Sequence, residues 1–143
     1  MIQFEVLGEP QGKQRPRFKN LNSKVITYTP SKTAQYENLV KASYRQVSDN
    51  KFQKGTPLEL TILAFFGVPK SASRVKQRQM MYKEILPTKK PDSDNIIKII
   101  CDALNGVAYE DDSQVCRVLF DKSYAETPKV KIEIREIKKG QKQ

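Results

Sequence analysis

The chain has 143 residues, with 38% hydrophobic and 29% charged side chains, which is the size and balance of one soluble domain with its own core. It contains no histidine and only two cysteines, which excludes Ser-His-Asp and Cys-His sites, His-ligated zinc and a disulfide scaffold. Acid-base or metal chemistry must therefore run on carboxylates, lysine, tyrosine or water. The net charge of +10 suits a polyanionic partner, and it is unevenly spread. Residues 1 to 90 carry 17 Lys and Arg against 6 Asp and Glu, whereas residues 91 to 143 carry 9 against 10.

Ile2, Phe4 and Val6 alternate with polar residues as on a half-buried strand, and Gly8 to Gly12 stops it. This opening lacks the basic start and apolar run of an export signal, so a cytoplasmic protein is expected. Lys13 to Lys19 reads as a basic loop and Val25 to Tyr28 as a short strand. Thr29 and Pro30 then read as a helix cap and first turn, opening a helix whose Tyr36, Leu39, Val40, Tyr44 and Val47 form an apolar stripe. Leu58 to Ala64 is a second alternating strand, ended by Gly67-Val68-Pro69. Ser71 to Leu86 is basic and moderately helical, and Pro87 to Pro91 is a loop. A helix from about Asn95 to Leu104 is broken by Asn105-Gly106. Val115 to Phe120 and Val130 to Ile137 read as strands joined by a hairpin-like connection near Pro128. The order predicts an α+β single domain, residues 1–137, with one mixed β-sheet packed against helices, followed by a polar tail, 138–143. No run approaches the roughly 18 apolar residues of a membrane span. Cys101 and Cys116 read as buried small hydrophobes.

The chemistry concentrates between Asp92 and Asp112. Asp92 and Asp94 sit two apart just before a helix, and Asp94, Lys98 and Asp102 recur every four residues on one face of it, while Ile96, Ile99, Ile100 and Ala103 supply the apolar face. Asp111 and Asp112 follow after a chain break that lets them fold back toward that face. Hard carboxylate oxygens from two segments suit Mg²⁺, which promotes phosphodiester hydrolysis by activating water and stabilising the leaving oxygen. Lys98 stands where a cation can meet charge developing on a phosphate. Each piece also has an ordinary structural explanation: an N-cap, an i,i+4 ion pair and an acidic turn.

The run Pro91-Asp92-Ser93-Asp94-Asn95-Ile96-Ile97-Lys98, then Asp102-Ala103-Leu104-Asn105-Gly106, then Asp111-Asp112-Ser113-Gln114-Val115 resembles the signature of the RusA family of Holliday junction resolvases. The Gly-x-Pro-x-x-Lys-x-Arg-Pro-Arg pattern from Gly8 to Arg17 agrees with it. The resemblance implies a RusA-like fold and a homodimer that nicks two opposed strands of a four-way DNA junction with Mg²⁺ and no small-molecule cofactor. It implies metal ligation by Asp92, Asp94 and Asp112, with Asp111 beside them, Lys98 as the catalytic lysine and Asp102 in support. Proline precedes Asp92 where the best-known pattern has arginine, the stretch from Asp102 to Asp111 is a residue short, and Lys70 to Lys90 is a longer basic region. These departures bear on cleavage preference, because base-reading contacts lie in variable loops.

Lys13, Arg15 and Arg17 are the expected phosphate contacts, followed by Lys89 and Lys90; Arg74, Lys76 and Arg78 rank below them as a solvated charge run. Phe18 is either a core anchor or a ring that stacks on an unpaired base. The homodimer is inferred from the need for two symmetric cuts, without a visible interface motif. Three other readings compete with a junction resolvase. A nuclease acting on forks or flaps shares every residue above; a non-catalytic DNA-binding module does not need all three aspartates and the lysine; an RNA-binding basic protein explains the charge alone.

Overall fold

In a computed structural model, residues 1–28, 30–138 and 140 are described. The expected cap residue Thr29 and most of the tail lie outside them. The order is β1 (Ile2–Leu7), β2 (Arg17–Leu21), β3 (Lys24–Tyr28), α1 (Ser31–Val47), β4 (Leu58–Gly67), α2 (Arg74–Met81), α3 (Ser93–Leu104), a single 3-10 turn (Asp112–Gln114), β5 (Val115–Ala125) and β6 (Lys129–Glu136). Four strands form a mixed sheet in the order β1-β6-β4-β5, and β2 and β3 form a separate two-stranded ribbon. The chain is thus an α+β domain. Among the described residues, no helix is long and apolar enough to cross a membrane.

Strand alternation sends Leu58, Leu60, Ile62, Ala64 and Phe66 of β4 to one face of the sheet. Phe4 and Val6 of β1 and Val130, Ile132 and Ile134 of β6 join them in the core. Helices α1 and α3 close over it, α1 with Tyr36, Val40 and Tyr44, and α3 with Ile96, Ile99, Ile100, Ala103 and Leu104. Each fully buried Ile or Leu of α3 contributes about 1.5–3 kcal/mol, enough to fix which side of that helix faces out. The polar row Asp94, Lys98 and Asp102 is the side left over.

Several expectations need correction. Leu39 and Val47 of the expected α1 stripe are exposed, and Thr33 and Ser43 are buried instead. Cys101 is only partly buried, with burial pushing its thiol up to about 11, and Cys116 is exposed. The basic loop from Lys13 continues into strand β2, which pairs with β3 through Asn22 and Ser23, both left-handed, at φ 51° and 66°. Such a two-residue turn matches the twist of a hairpin. Strands β5 and β6 are not hairpin partners: β6 runs antiparallel to β4 on the side away from β5, and β5 runs parallel to β4. Residues 126–128 pass over the end of β4 at Gly67, where an added Cβ would lie 3.5 Å from Pro128 Cδ and 2.7 Å from Glu9 Oε1.

The sheet's other face carries a buried carboxylate. A register shift between Leu58 and Glu59 sets Arg117 of β5 opposite Glu59, and Arg135 of β6 stands opposite it on the other side. Arg117 Nη1 donates to Glu59 Oε2 at 3.0 Å and Arg135 Nε to Oε1 at 2.8 Å. These two hydrogen bonds, Arg135's first, hold the Glu59 carboxyl below the usual glutamate value despite its burial.

Candidate active site

The N-terminal loop is built into the site by close packing. Gly12 lies against the start of α3, and a Cβ on it would come 2.7 Å from Pro91 Cβ and 3.1 Å from Asn95 Cβ. With that approach open, the Lys13 amide donates to Asn95 O at 2.9 Å and the Gln14 amide to Thr33 Oγ1 of α1 at 3.3 Å. The loop therefore bridges α1 and α3.

Its lysine turns inward. Lys13 Nζ lies 3.1 Å from Glu37 Oε2 of α1 and 3.3 Å from Asp102 Oδ2 of α3, with 18% of its side chain exposed. Burial works against the ammonium, but Glu37 and Asp102 outweigh it and hold its pKa above the ordinary lysine value. Asp102 also faces Lys98 at 3.9 Å, so this aspartate joins the two lysines. Lys98 itself remains 62% exposed.

The second acidic segment is placed by a glutamine. Gln114 is buried and donates to Gln53 O at 2.9 Å and Thr56 O at 3.1 Å, while its amide oxygen accepts from the backbone of Glu110 and Asp111. Asp111 in turn caps the 3-10 turn by accepting from Ser113 N, and with Gln114 Oε1 accepting from Asp111 N the pair Asp111 and Gln114 forms a reciprocal capping box. Asp112 is partly buried next to this frame. Burial, the hydrogen bond with Asp111 and the charges of Asp111 and Asp102 raise its carboxyl above the usual aspartate value, with Lys98 opposing. Asp111 is shifted down, chiefly by Ser113 and then by its bond with Asp112.

The ordinary explanations for these carboxylates can now be separated. Asp111 is a structural cap. Asp92 occupies the N-cap position of α3, and its exposed carboxylate makes no capping hydrogen bond. Asp94 is exposed and forms no salt bridge among the described residues; the i,i+4 pair on this face is Lys98 with Asp102. Among the described residues no three acidic side chains form a group that would hold a cation unaided. The acidic groups acting on Asp112 are Asp111 and Asp102, while Asp92 and Asp94 stand at the start of α3. The donors nevertheless fit Mg²⁺ in kind, because that ion takes one or two carboxylates, completing its shell with water and substrate phosphate rather than a full protein cage.

The remaining expected contacts divide. Arg15 and Arg17 are exposed, Arg17 at the root of the β2–β3 arm. Lys90 is exposed, and Lys89 places its ammonium 5.6 Å from the centre of the Phe66 ring. Their loop is held by Lys122 of β5, whose Nζ donates to Lys89 O at 2.7 Å and Pro91 O at 3.1 Å. Phe18 is 73% exposed, which removes the core-anchor reading. Glu37, Gly12 and Gln114 are the residues that sequence reasoning missed. Only Gln114 had a local signal, the Asp-x-x-Gln of a capping box.

Comparison with known proteins supplies the last observation. The family model for endodeoxyribonuclease RusA matches residues 8–135. The chain is 36% identical over 138 residues to an uncharacterized protein, YqaN, of Bacillus subtilis (strain 168), covering 95% of this chain and 96% of that one. It is 29% identical over 141 residues to a crossover junction endodeoxyribonuclease of Lactococcus phage r1t, covering 95% of this chain and 97% of the other.

Proposed function

Because the chain belongs to the RusA endodeoxyribonuclease family, we propose that it resolves four-way DNA junctions during recombination and repair in the cytoplasm. It acts as a homodimer in which each protomer nicks one of two opposed strands by Mg²⁺-dependent phosphodiester hydrolysis. The observation that carries this reading is the pair of exposed carboxylates without a capping bond or salt bridge among the described residues, Asp92 and Asp94 at the start of α3, on the polar side that continues through Lys98 toward Asp112.

Asp92, Asp94 and Asp112 are the candidate ligands, of which one or two would hold the metal with water and substrate phosphate completing its shell, and Asp111 fixes the turn beneath Asp112. When bound, Mg²⁺ supplies Lewis acidity and an activated water. Lys98, exposed beside Asp102, presents its ammonium to the scissile phosphate and offsets the negative charge that builds there. Lys13 is engaged by Glu37 and Asp102, and its role in this reading is to hold the two helices and the loop in register rather than to grip phosphate. Arg15, Arg17, Lys89 and Lys90 provide the phosphate contacts around the centre.

The arm supports the homodimer. Its register places Arg17, Lys19, Leu21, Lys24, Ile26 and Tyr28 on one face and Phe18, Asn20, Val25 and Thr27 on the other. The face without cations, with Val25 67% exposed, suits a second copy, and the cationic face suits DNA.

A panel of synthetic substrates with Mg²⁺ tests the proposal: a four-way junction, a fork, a flap and linear duplex. Paired symmetric nicks in the junction, with the others cut weakly, are expected. Cleavage of forks or flaps in preference to the junction would overturn the assigned substrate.

A further inference from the structure

Helix α2 takes no part in the site described above, yet it is built as a platform. Ser73 caps it by accepting from Lys76 N, and Gln77 Nε2 donates to Ala72 O at 2.9 Å and Pro69 O at 3.4 Å, which ties the helix to the loop that leads into it. Arg74, Gln77, Arg78, Met81 and Tyr82 recur at intervals of three and four and so form one stripe. That stripe lines a groove of about 800 Å³, with Lys70 on its wall and Glu126 as its one carboxylate among the described residues. Tyr82 is 74% exposed and Met81 47% exposed, so the apolar end of the stripe faces solvent instead of filling the core.

The chemistry of this groove is selective. Lys70, Arg74 and Arg78 outnumber Glu126 and suit a chain of phosphates. Phosphates alone leave the exposed ring without a role. A nucleic-acid base has a π-face that stacks on tyrosine, but in duplex that face is covered by neighbouring bases, so cations beside an exposed ring favour an unpaired strand. We propose that the α2 groove binds an unpaired stretch of DNA, with Lys70, Arg74 and Arg78 on its phosphates and Tyr82 under a base. The inference rests on the junction-nuclease reading for its choice of DNA, since opened branch points present unpaired nucleotides. It assigns that enzyme a second contact outside the acidic centre.

Anisotropy of a labelled short oligothymidylate in chelator, where no strand is cut, tests the groove separately from cleavage. An abasic oligonucleotide and a blunt duplex of equal length serve as controls. Tyr82→Ala is expected to weaken oligothymidylate binding about tenfold, within the range of one base-aromatic stack, and to leave the abasic strand and the duplex unaffected. Tyr82→Phe restores the affinity. Arg78→Glu weakens both single strands and lowers their salt dependence. Unchanged oligothymidylate affinity in Tyr82→Ala and Arg78→Glu, with the junction still cut, overturns the groove and leaves the nuclease standing. Absence of junction cleavage by the unmodified chain, with Tyr82-dependent binding intact, overturns the nuclease and leaves the groove.

Discussion

Lys13 lies in a basic run yet is engaged inside the fold. In the sequence it opens a run of alternating cations and reads as a phosphate contact, but its partners Glu37 and Asp102 lie 24 and 89 positions away, as the residue numbers show, and no local pattern announces them. The two roles predict different salt behaviour. A phosphate contact, when removed, lowers the slope of log affinity against log salt by about one. As an internal cation, Lys13 in the Lys13→Met variant should leave that slope unchanged while thermal stability and the cleavage rate fall. The variant loses two charged contacts, with Glu37 and Asp102, and each charge-assisted pair corresponds to about 1.5–3 kcal/mol. Anisotropy titrations of a junction across salt concentrations, with a melting curve of the same variant, check this. The carboxylates Asp92, Asp94 and Asp112 stand out in the sequence as a cluster, but their type and spacing suit ordinary caps and turns as well as a metal. Asp111 as a cap, and the absence of a capping bond at Asp92, required coordinates.

Among the elements, α3 was legible because its isoleucines repeat at helical spacing against a polar row, which set its orientation and its end at Leu104, while its start lies at Ser93, two residues before the expected Asn95. The β2–β3 arm was read only in part, since every residue of both strands is exposed and there is no inside face to impose alternation on β2. The link between β5 and β6 was misread because a short connection next to Pro128 looks the same whether the strands pair directly or straddle a third. Burial of β4 between β5 and β6 selects the second arrangement. Gly12 is a contact between elements that composition does not reveal. Gly12→Ala should force the loop away from Pro91 and Asn95, at about 1–3 kcal/mol for overpacking, and disturb the Lys13 amide bond to Asn95 O. A drop in junction cleavage accompanied by a lower melting temperature is expected; a variant indistinguishable from the unmodified chain in both would remove the loop from the architecture of the site.

For the whole molecule, the one-core α+β architecture follows from the apolar periodicities, whereas the charge pattern on the sheet's open face follows from register. Glu59 sits between Arg117 and Arg135 and is held below the usual glutamate value of 4.5. A carboxyl with a depressed folded-state value contributes stability that is fully present above its unfolded value and is lost as pH falls through the folded one. The stability gap between the unmodified chain and Glu59→Gln should therefore be widest at neutral pH and close below about pH 4.5. Denaturant midpoints across that range check it, and a gap that does not narrow in acid would remove the ion triad as its source. Two regions of different charge also coexist in one domain, a positive excess before residue 90 and an acidic segment after it, and in the proposed reading the first would attract DNA and the second would receive the cation.

The claim beneath this account is that Asp94 serves the metal and not the fold. Cleavage of a synthetic four-way junction by Asp94→Asn, measured beside the unmodified chain with Mg²⁺ and with chelator, tests it most directly. The account predicts paired nicks by the unmodified chain with Mg²⁺ alone, none by Asp94→Asn, and junction binding in the variant that is equal or tighter because a negative charge facing phosphate has gone. Full cleavage by Asp94→Asn, or cleavage that persists in chelator, would contradict it.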